Sequence, residues 1–254
     1  MMRNILIFIF ALGLMFIISC NKEDDDNNNE PVVTPTEIEV GETENMLINY
    51  YDTTLIGEYN TLKTIKLDID NDGNNDILLT SILWGSPEIG DHPRTTISCL
   101  NDQTELYGFN TNDTLFLNVH IKIVNGPGGS VEVHERHSYA CHRIDETDSV
   151  LQITPAFKIL PLDRGDILKL SDTFSSDSIV LTDDWYRTPQ IVTGVSGDTT
   201  FYEYEVYYND CNSFPSDEVK YIGIRMNDES KLGWLRINIS EKYKILILES
   251  AIQE

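Results

Sequence analysis

The chain has 254 residues and carries 42 acidic against 18 basic side chains, which gives a formal net charge of −24 at pH 7. This charge argues against nucleic acid and anionic lipid headgroups as partners, because both repel a strongly acidic protein. The length is sufficient for one large all-β domain or for two small ones.

The chain opens with a short apolar segment. A single Arg3 precedes the run from Ile5 to Ile18, and Ser19-Cys20 follow before the sequence becomes acidic. The run matches the core of a signal peptide and is too short to span a bilayer as a helix. An ordinary secretory signal cleaved elsewhere and a short membrane anchor are the alternatives.

The residues up to Cys20 resemble the lipobox of bacterial lipoprotein signal peptides. This resemblance implies that residues 1–19 are removed and that the Cys20 thiol is lipidated and attaches the protein to a membrane. Lys22-Glu23-Asp24-Asp25 resembles the signal that sends lipoproteins to the cell surface in some Gram-negative bacteria. We therefore expect a lipid-anchored outer-membrane protein that faces the exterior, although the same residues also suit a solvated tether.

Residues 20–44 predict a flexible acidic tether. They contain consecutive Asn residues, many carboxylates, Pro31 and Pro35. Such a composition buries too little apolar surface to offset the entropy lost on ordering.

Residues 45–254 predict an all-β domain. Short runs rich in Ile, Val, Thr and Tyr alternate apolar and polar residues and are separated by Gly, Asn, Asp and Pro clusters. We expect an antiparallel β-sandwich of the jelly-roll or immunoglobulin-like type. Asn125–Gly129 predicts a hairpin loop, whereas residues 145–190 are irregular and could instead contain a boundary between two sandwiches. The predicted strands are Met46–Tyr51, Leu62–Ile69, Ile77–Trp84, Leu115–Val124, Val131–Tyr139, Phe201–Tyr208, Val219–Met226, Leu232–Ile239 and Tyr243–Leu248.

The Asp-rich segment between two predicted strands indicates a cation site. Three Asp side chains at alternating positions, Gly73 at the sharp turn and a further Asp three residues after it can direct oxygen ligands onto Ca²⁺. The segment is not an EF-hand, because Leu79 occupies the twelfth position, where an EF-hand has Glu. It resembles calcium turns of secreted bacterial repeat and adhesion proteins; a solvated Asn/Asp/Gly turn is the alternative. The expected ligands are Asp68, Asp70, Asp72 and Asp76.

Aromatic side chains beside polar residues suggest a weaker ligand-binding site. Trp84 ends a predicted strand at the start of an expected exposed loop, and Trp185 and Tyr186 lie in a segment that we expect to be an exposed loop. Flat rings next to carboxylates and amides can stack on sugars and bind their hydroxyl groups. Packing in the sandwich core is the alternative for such rings.

Three cysteines remain after Cys20, and an exported protein can oxidise two of them. We expect Cys99 and Cys141 to pair, since both lie in strand-like segments of the same half of the domain. The sequence contains no catalytic motif of useful specificity, so we do not expect an enzyme.

The last strands resemble those of uncharacterised secreted bacterial β-sandwich proteins, many of which carry an early Asp-rich turn. The resemblance covers Tyr221–Arg225, Gly233–Ile237 and Ile245–Ile252, and it implies no activity. From the residues themselves, we expect Arg225 and Arg236 to pair with carboxylates on adjacent strands.

Together these features predict a calcium-stabilised surface lipoprotein with a binding or adhesion role, in which the ligand is a glycan or a protein. A structural or assembly component of an outer-membrane complex is the main alternative. A secreted hydrolase is a further one.

Overall fold

Every regular element in the described part of the chain is a β-strand, as the alternating sequence pattern predicts. The computed structural model describes residues 35–86, 90–126, 129–196, 199–209, 211–226 and 230–254, and only the backbone of 86, 90, 124, 126, 131, 135, 185–196 and 199–209. Cys20, the predicted signal peptide and most of the predicted tether lie outside these residues. In the described part there is no helix with the length and apolar character to cross a bilayer.

The strands in chain order are β1 Glu37–Glu39, β2 Met46–Ile56, β3 Lys63–Leu67, β4 Ile77–Ser86, β5 Gly90–Cys99, β6 Thr104–Gly126, β7 Gly129–Ala140, β8 Ser149–Ile159, β9 Ile167–Lys169, β10 Phe174–Ser175, β11 Ile179–Asp183, β12 Trp185–Ser196, β13 Thr199–Asn209, β14 Val219–Met226, β15 Lys231–Ser240 and β16 Lys244–Gln253.

The strands form one large sheet and two smaller ones. The large sheet has the order β12-β13-β7-β6-β14-β15-β16-β2, with β8 and β10 also paired to β6. The four-stranded sheet has the order β11-β5-β4-β3, and β1 pairs with β9. The described residues fall in one unit by their contacts.

Two apolar clusters cover opposite faces of the large sheet. The larger cluster joins this sheet to the four-stranded sheet and includes Ile222, Ile237 and Leu79, all fully buried. The smaller cluster lies on the other face, where Leu168 of β9 packs near Trp234. Full burial of one such aliphatic side chain contributes roughly 1.5–3 kcal/mol, so these clusters account for much of the stability.

Strands β14, β15 and β16 form the centre of the sandwich. Trp234 is 1% exposed and lies opposite Gly223 in the β14–β15 register, where a Cβ would come within 2.8 Å of the Tyr107 Cβ. Arg225 binds Glu105 on β6, and Arg236 binds Glu249 on β16 with Nη1 2.8 Å from Oε1. The expected pairing of both arginines with carboxylates on adjacent strands is confirmed.

One strand pair departs from the expected antiparallel arrangement. β13 runs parallel to β7, with Asn209 opposite Ala140. The chain forms β8 to β12 between β7 and β13. Parallel neighbours require a long connection of this kind, whereas a short hairpin would make them antiparallel. The predicted hairpin between β6 and β7 is confirmed by the pairing of Gly126 with Gly129.

Candidate metal and ligand sites

The Asp-rich segment connects β3 to β4 in the four-stranded sheet. Ile69 within it is fully buried in the larger apolar cluster and so fixes the turn against the core. Asn71 and Gly73 have positive φ angles of 60° and 92°, which allow the chain to reverse sharply. The backbone N–H of Asp76 donates to the carbonyl of Leu67 and closes the turn.

Three of the four predicted ligands meet inside this turn. Asp68, Asp70 and Asp76 each place one carboxylate oxygen within 4.8 Å of the others. Asp76 is 3% exposed, and its Oδ2 accepts from the Ile69 N–H at 2.7 Å. Asp68 accepts from the Gly73 N–H through Oδ2, whereas its buried Oδ1 has no hydrogen-bond donor among the described residues. A buried carboxylate oxygen without a donor is costly unless a cation binds it.

Asp72 does not belong to this three-carboxylate group. Its side chain is exposed and accepts hydrogen bonds from the backbone and the side-chain amide of Asn74, at 2.7 and 2.9 Å. These bonds lower the pKa of Asp72. The structure therefore supports Asp68, Asp70 and Asp76 as the candidate cation ligands.

Burial and mutual repulsion disfavour ionisation of two of the three carboxylates. Burial raises the pKa of Asp70, and the nearby Asp72 and Asp68 carboxylates raise it further. Burial likewise raises the pKa of Asp76, with Asp70 contributing in the same direction. A donor set made only of carboxylate oxygens suits a hard cation such as Ca²⁺.

Hydrogen bonds tie the turn to the large sheet. Asn49 of β2 donates from Nδ2 to the Ile69 carbonyl at 2.8 Å, and the Tyr51 hydroxyl donates to the Asp68 carbonyl at 3.3 Å. Asn101, between β5 and β6, donates to Oδ1 of Asp76 at 2.9 Å. A cation bound here would consequently strengthen the junction between the two sheets.

The expected Cys99–Cys141 disulfide is wrong. Cys141 is bonded to Cys211, with their Cα atoms 5.1 Å apart, and Cys99 is a free thiol. The parallel pairing of β7 with β13 brings the ends of these strands together, and Cys141 and Cys211 follow those ends. Cys99 instead ends β5 and packs against the larger apolar cluster, where burial raises the pKa of its thiol to about 12.

The predicted aromatic residues do not lie in loops. Trp84 belongs to β4 and is 52% exposed, as a ligand-stacking ring requires. Trp185 and Tyr186 begin β12 and pair with Asn209 and Tyr208 of β13, which corrects their expected loop location. The side chains of Trp185 and Tyr186 lie outside the described residues.

A groove lies where edge strand β8 of the large sheet contacts edge strand β11 of the small sheet, and the sequence does not predict it. Three cavities of about 430, 390 and 370 Å³ adjoin one another through shared lining residues. Phe157 and Asp177 line the first two, and Asp113 and Cys211 line the last two. No local signal reveals this groove, because its walls come from distant parts of the sequence.

In the comparisons with protein-family models, with curated proteins and with solved structures, nothing matches this chain.

Proposed function

We propose that this protein is a surface-exposed lipoprotein whose calcium-stabilised β-sandwich binds a ligand, of the glycan class, outside the cell. The N-terminal sequence supports the lipid anchor at Cys20 and outer-membrane localisation. The strongly acidic composition and the all-β fold suit an exported binding module. No arrangement of side chains in the described residues requires the protein to be an enzyme.

The observation that carries the calcium proposal is the buried Asp68 Oδ1 without a donor, beside the oxygens of Asp70 and Asp76. Three converging carboxylates repel one another, and a divalent cation turns that repulsion into attraction. Extracellular sites of this kind bind Ca²⁺ at 10⁻⁴–10⁻³ M in general, a range that suits an exterior location.

Thermal melting tests the calcium site. Since Ca²⁺ bound only by the folded state raises stability, the wild-type protein should melt several degrees higher in millimolar Ca²⁺ than in chelator. Asp70→Ala should abolish this difference, and Asp177→Asn, a change at an exposed carboxylate outside the turn, should retain it. Equal melting temperatures of the wild-type protein in both buffers would reject calcium.

Membrane fractionation tests the anchor. Replacement of Cys20 with Ala should release the protein from membranes and change the mass of the mature chain, because the thiol that would carry the lipid is then absent. Unchanged fractionation and mature mass would contradict the lipoprotein proposal.

The exposed ring of Trp84 supports the glycan class, because an indole face open to solvent can stack on a sugar. Tryptophan fluorescence with a glycan panel, compared between the wild-type protein and Trp84→Ala, measures this contribution. Absence of any glycan-dependent change would reject Trp84 as a sugar-stacking ring.

A specific apolar edge supports a second candidate, a component of an outer-membrane complex. Along β6, Val119, Ile121 and Ile123 are 46, 58 and 70% exposed. From residue 118 to 126, β6 has β7 as its only strand partner among the described residues. A strand of another protein could add to this edge. Ile121→Lys should then abolish co-purification of crosslinked partners, while fractionation with membranes remains unchanged.

A further inference from the structure

The groove between β8 and β11 is elongated, and an elongated groove suits a linear ligand. Its three adjoining cavities follow one another from Asn110 at one end to Arg94 at the other. A compact ligand would fill only one of these cavities. An extended ligand can occupy all three.

The lining combines a small apolar platform with many polar groups. Pro155 and the half-buried ring of Phe157 form the apolar part. Asn110, Asn112 and Asp177 are exposed around them; the two amides can donate and accept hydrogen bonds, and the carboxylate can accept them. Sugar rings present apolar faces and hydroxyl edges, and this combination matches both.

Charge in the middle of the groove is internally compensated. Lys158 Nζ lies 2.9 Å from Asp113 Oδ1, and the Lys158 side chain is only 17% exposed. The paired ammonium group therefore leaves little free positive charge in the middle of the groove, and Arg94 at its end lies opposite Asp183 in the β5–β11 register. Asp177 and the overall charge of −24 further disfavour anions, whereas neutral ligands are unaffected.

We propose that this groove binds a neutral linear oligosaccharide, with sugar faces against Phe157 and Pro155 and hydroxyl groups bound by Asn110, Asn112 and Asp177. The inference rests on the proposed function and assigns its ligand to a site distinct from Trp84. Because the groove is elongated, affinity increases with the number of sugar units. The Lys158–Asp113 pair remains intact and fixes β8 against β6.

Isothermal titration of the full-length protein with neutral linear oligosaccharides and their monosaccharides tests the inference. The oligosaccharide should bind more tightly than its monosaccharide. Asp177→Ala and the double variant Asn110→Ala, Asn112→Ala should each weaken binding about tenfold, since each removes hydrogen-bonding groups of the site. Asp102→Ala, at an exposed carboxylate between β5 and β6, is the matched control and should bind as the wild-type protein does.

The possible outcomes distinguish a failure of the groove inference from a failure of the proposed function. Binding that the groove variants leave unchanged would overturn the groove and leave a glycan site elsewhere, such as at Trp84. If no oligosaccharide binds while calcium still stabilises the protein and Cys20 still anchors it, the groove inference and the glycan ligand of the proposed function both fail, and only the calcium site and the anchor stand. Binding of extended peptides in place of sugars, lost in the same variants, would also overturn it.

Discussion

Asn101 joins two turns of the sandwich through a hydrogen bond from its Nδ2 to Oδ1 of Asp76, at 2.9 Å. Its own Oδ1 accepts the backbone N–H groups of Gln103 and Thr104, at 3.0 and 2.8 Å. The geometry of the acidic turn is therefore coupled to the entry into β6.

Asn101→Ala should destabilise the protein by about 1–2 kcal/mol, because Asp76 loses a donor and two backbone N–H groups lose their acceptor. Calcium should also bind more weakly, since Asp76 is no longer held in place. Chemical denaturation and calcium titration measure the two effects. Asp102→Asn is the neighbouring control and should retain both values; wild-type values for Asn101→Ala would show that the coupling is absent.

Stability in chelator should depend on the charge of Asp70. Its pKa is raised, chiefly by burial, so the folded state binds a proton more tightly than the unfolded state does. Stability therefore falls as pH rises above the ordinary Asp pKa and through the raised value. Asp70→Asn should melt above the wild-type protein at neutral pH in chelator, and the difference should shrink toward acidic pH.

Calcium should reverse the order of these two proteins at neutral pH, because the cation binds the ionised carboxylate. Melting curves over a pH series, with and without calcium, test both statements. A pH-independent difference between Asp70→Asn and the wild-type protein would contradict the titration of this group.

The two kinds of cysteine should respond differently to replacement and to labelling. Removal of the Cys141–Cys211 bond, which closes a loop with a sequence separation of 70, should cost about 4 kcal/mol. Cys99 should react only very slowly with thiol reagents in the folded state at pH 8, because the residue is partly buried and this burial raises the pKa of its thiol to about 12. Labelling followed by peptide mass spectrometry distinguishes them; rapid labelling of Cys141 in the native protein would contradict the disulfide.

Gly233 should not tolerate a side chain. A Cβ at this position would lie 2.3 Å from the carbonyl oxygen of Ala251, a backbone atom that cannot move without distorting β16. Gly233→Ala should therefore destabilise the protein by about 1–3 kcal/mol. Denaturant titration measures the change, and a variant as stable as the wild-type protein would show that the strands can separate locally at little cost.

The strands with regular alternation could be predicted from the sequence. Val219–Met226 and Leu232–Ile239 show it clearly, and their arginines pair across the sheet as expected. β5 and β8 were not predicted, because Pro93 and Pro155 interrupt their patterns. In the structure, Pro93 lies beyond the residues that pair with β11, so this strand tolerates it.

The candidate sites likewise divide into one that local sequence encodes and others that depend on the approach of distant segments. The acidic turn is local, so Asp68, Asp70 and Asp76 could be recognised together, although the hydrogen bonds between Asp72 and Asn74 could not be foreseen. The disulfide depends on the parallel placement of β13 beside β7, which no local pattern encodes. The groove depends on the approach of two sheet edges, and its polar walls come from β5, β6, β8 and β11.

The position of Cys211 near the end of the chain has a consequence for maturation. A protein exported from its N-terminus, as proposed here, presents Cys99 and Cys141 to an oxidising compartment before Cys211 has emerged. Formation of a Cys99–Cys141 bond at that stage would hold Cys99 away from the apolar cluster against which it packs. It would also prevent the Cys141–Cys211 bond that links the ends of β7 and β13. Early burial of Cys99 in the β4–β5 hairpin would prevent the Cys99–Cys141 bond, and later thiol–disulfide exchange would replace it with the native one. Exchange would make the rate of maturation depend on a disulfide isomerase rather than on sheet formation alone.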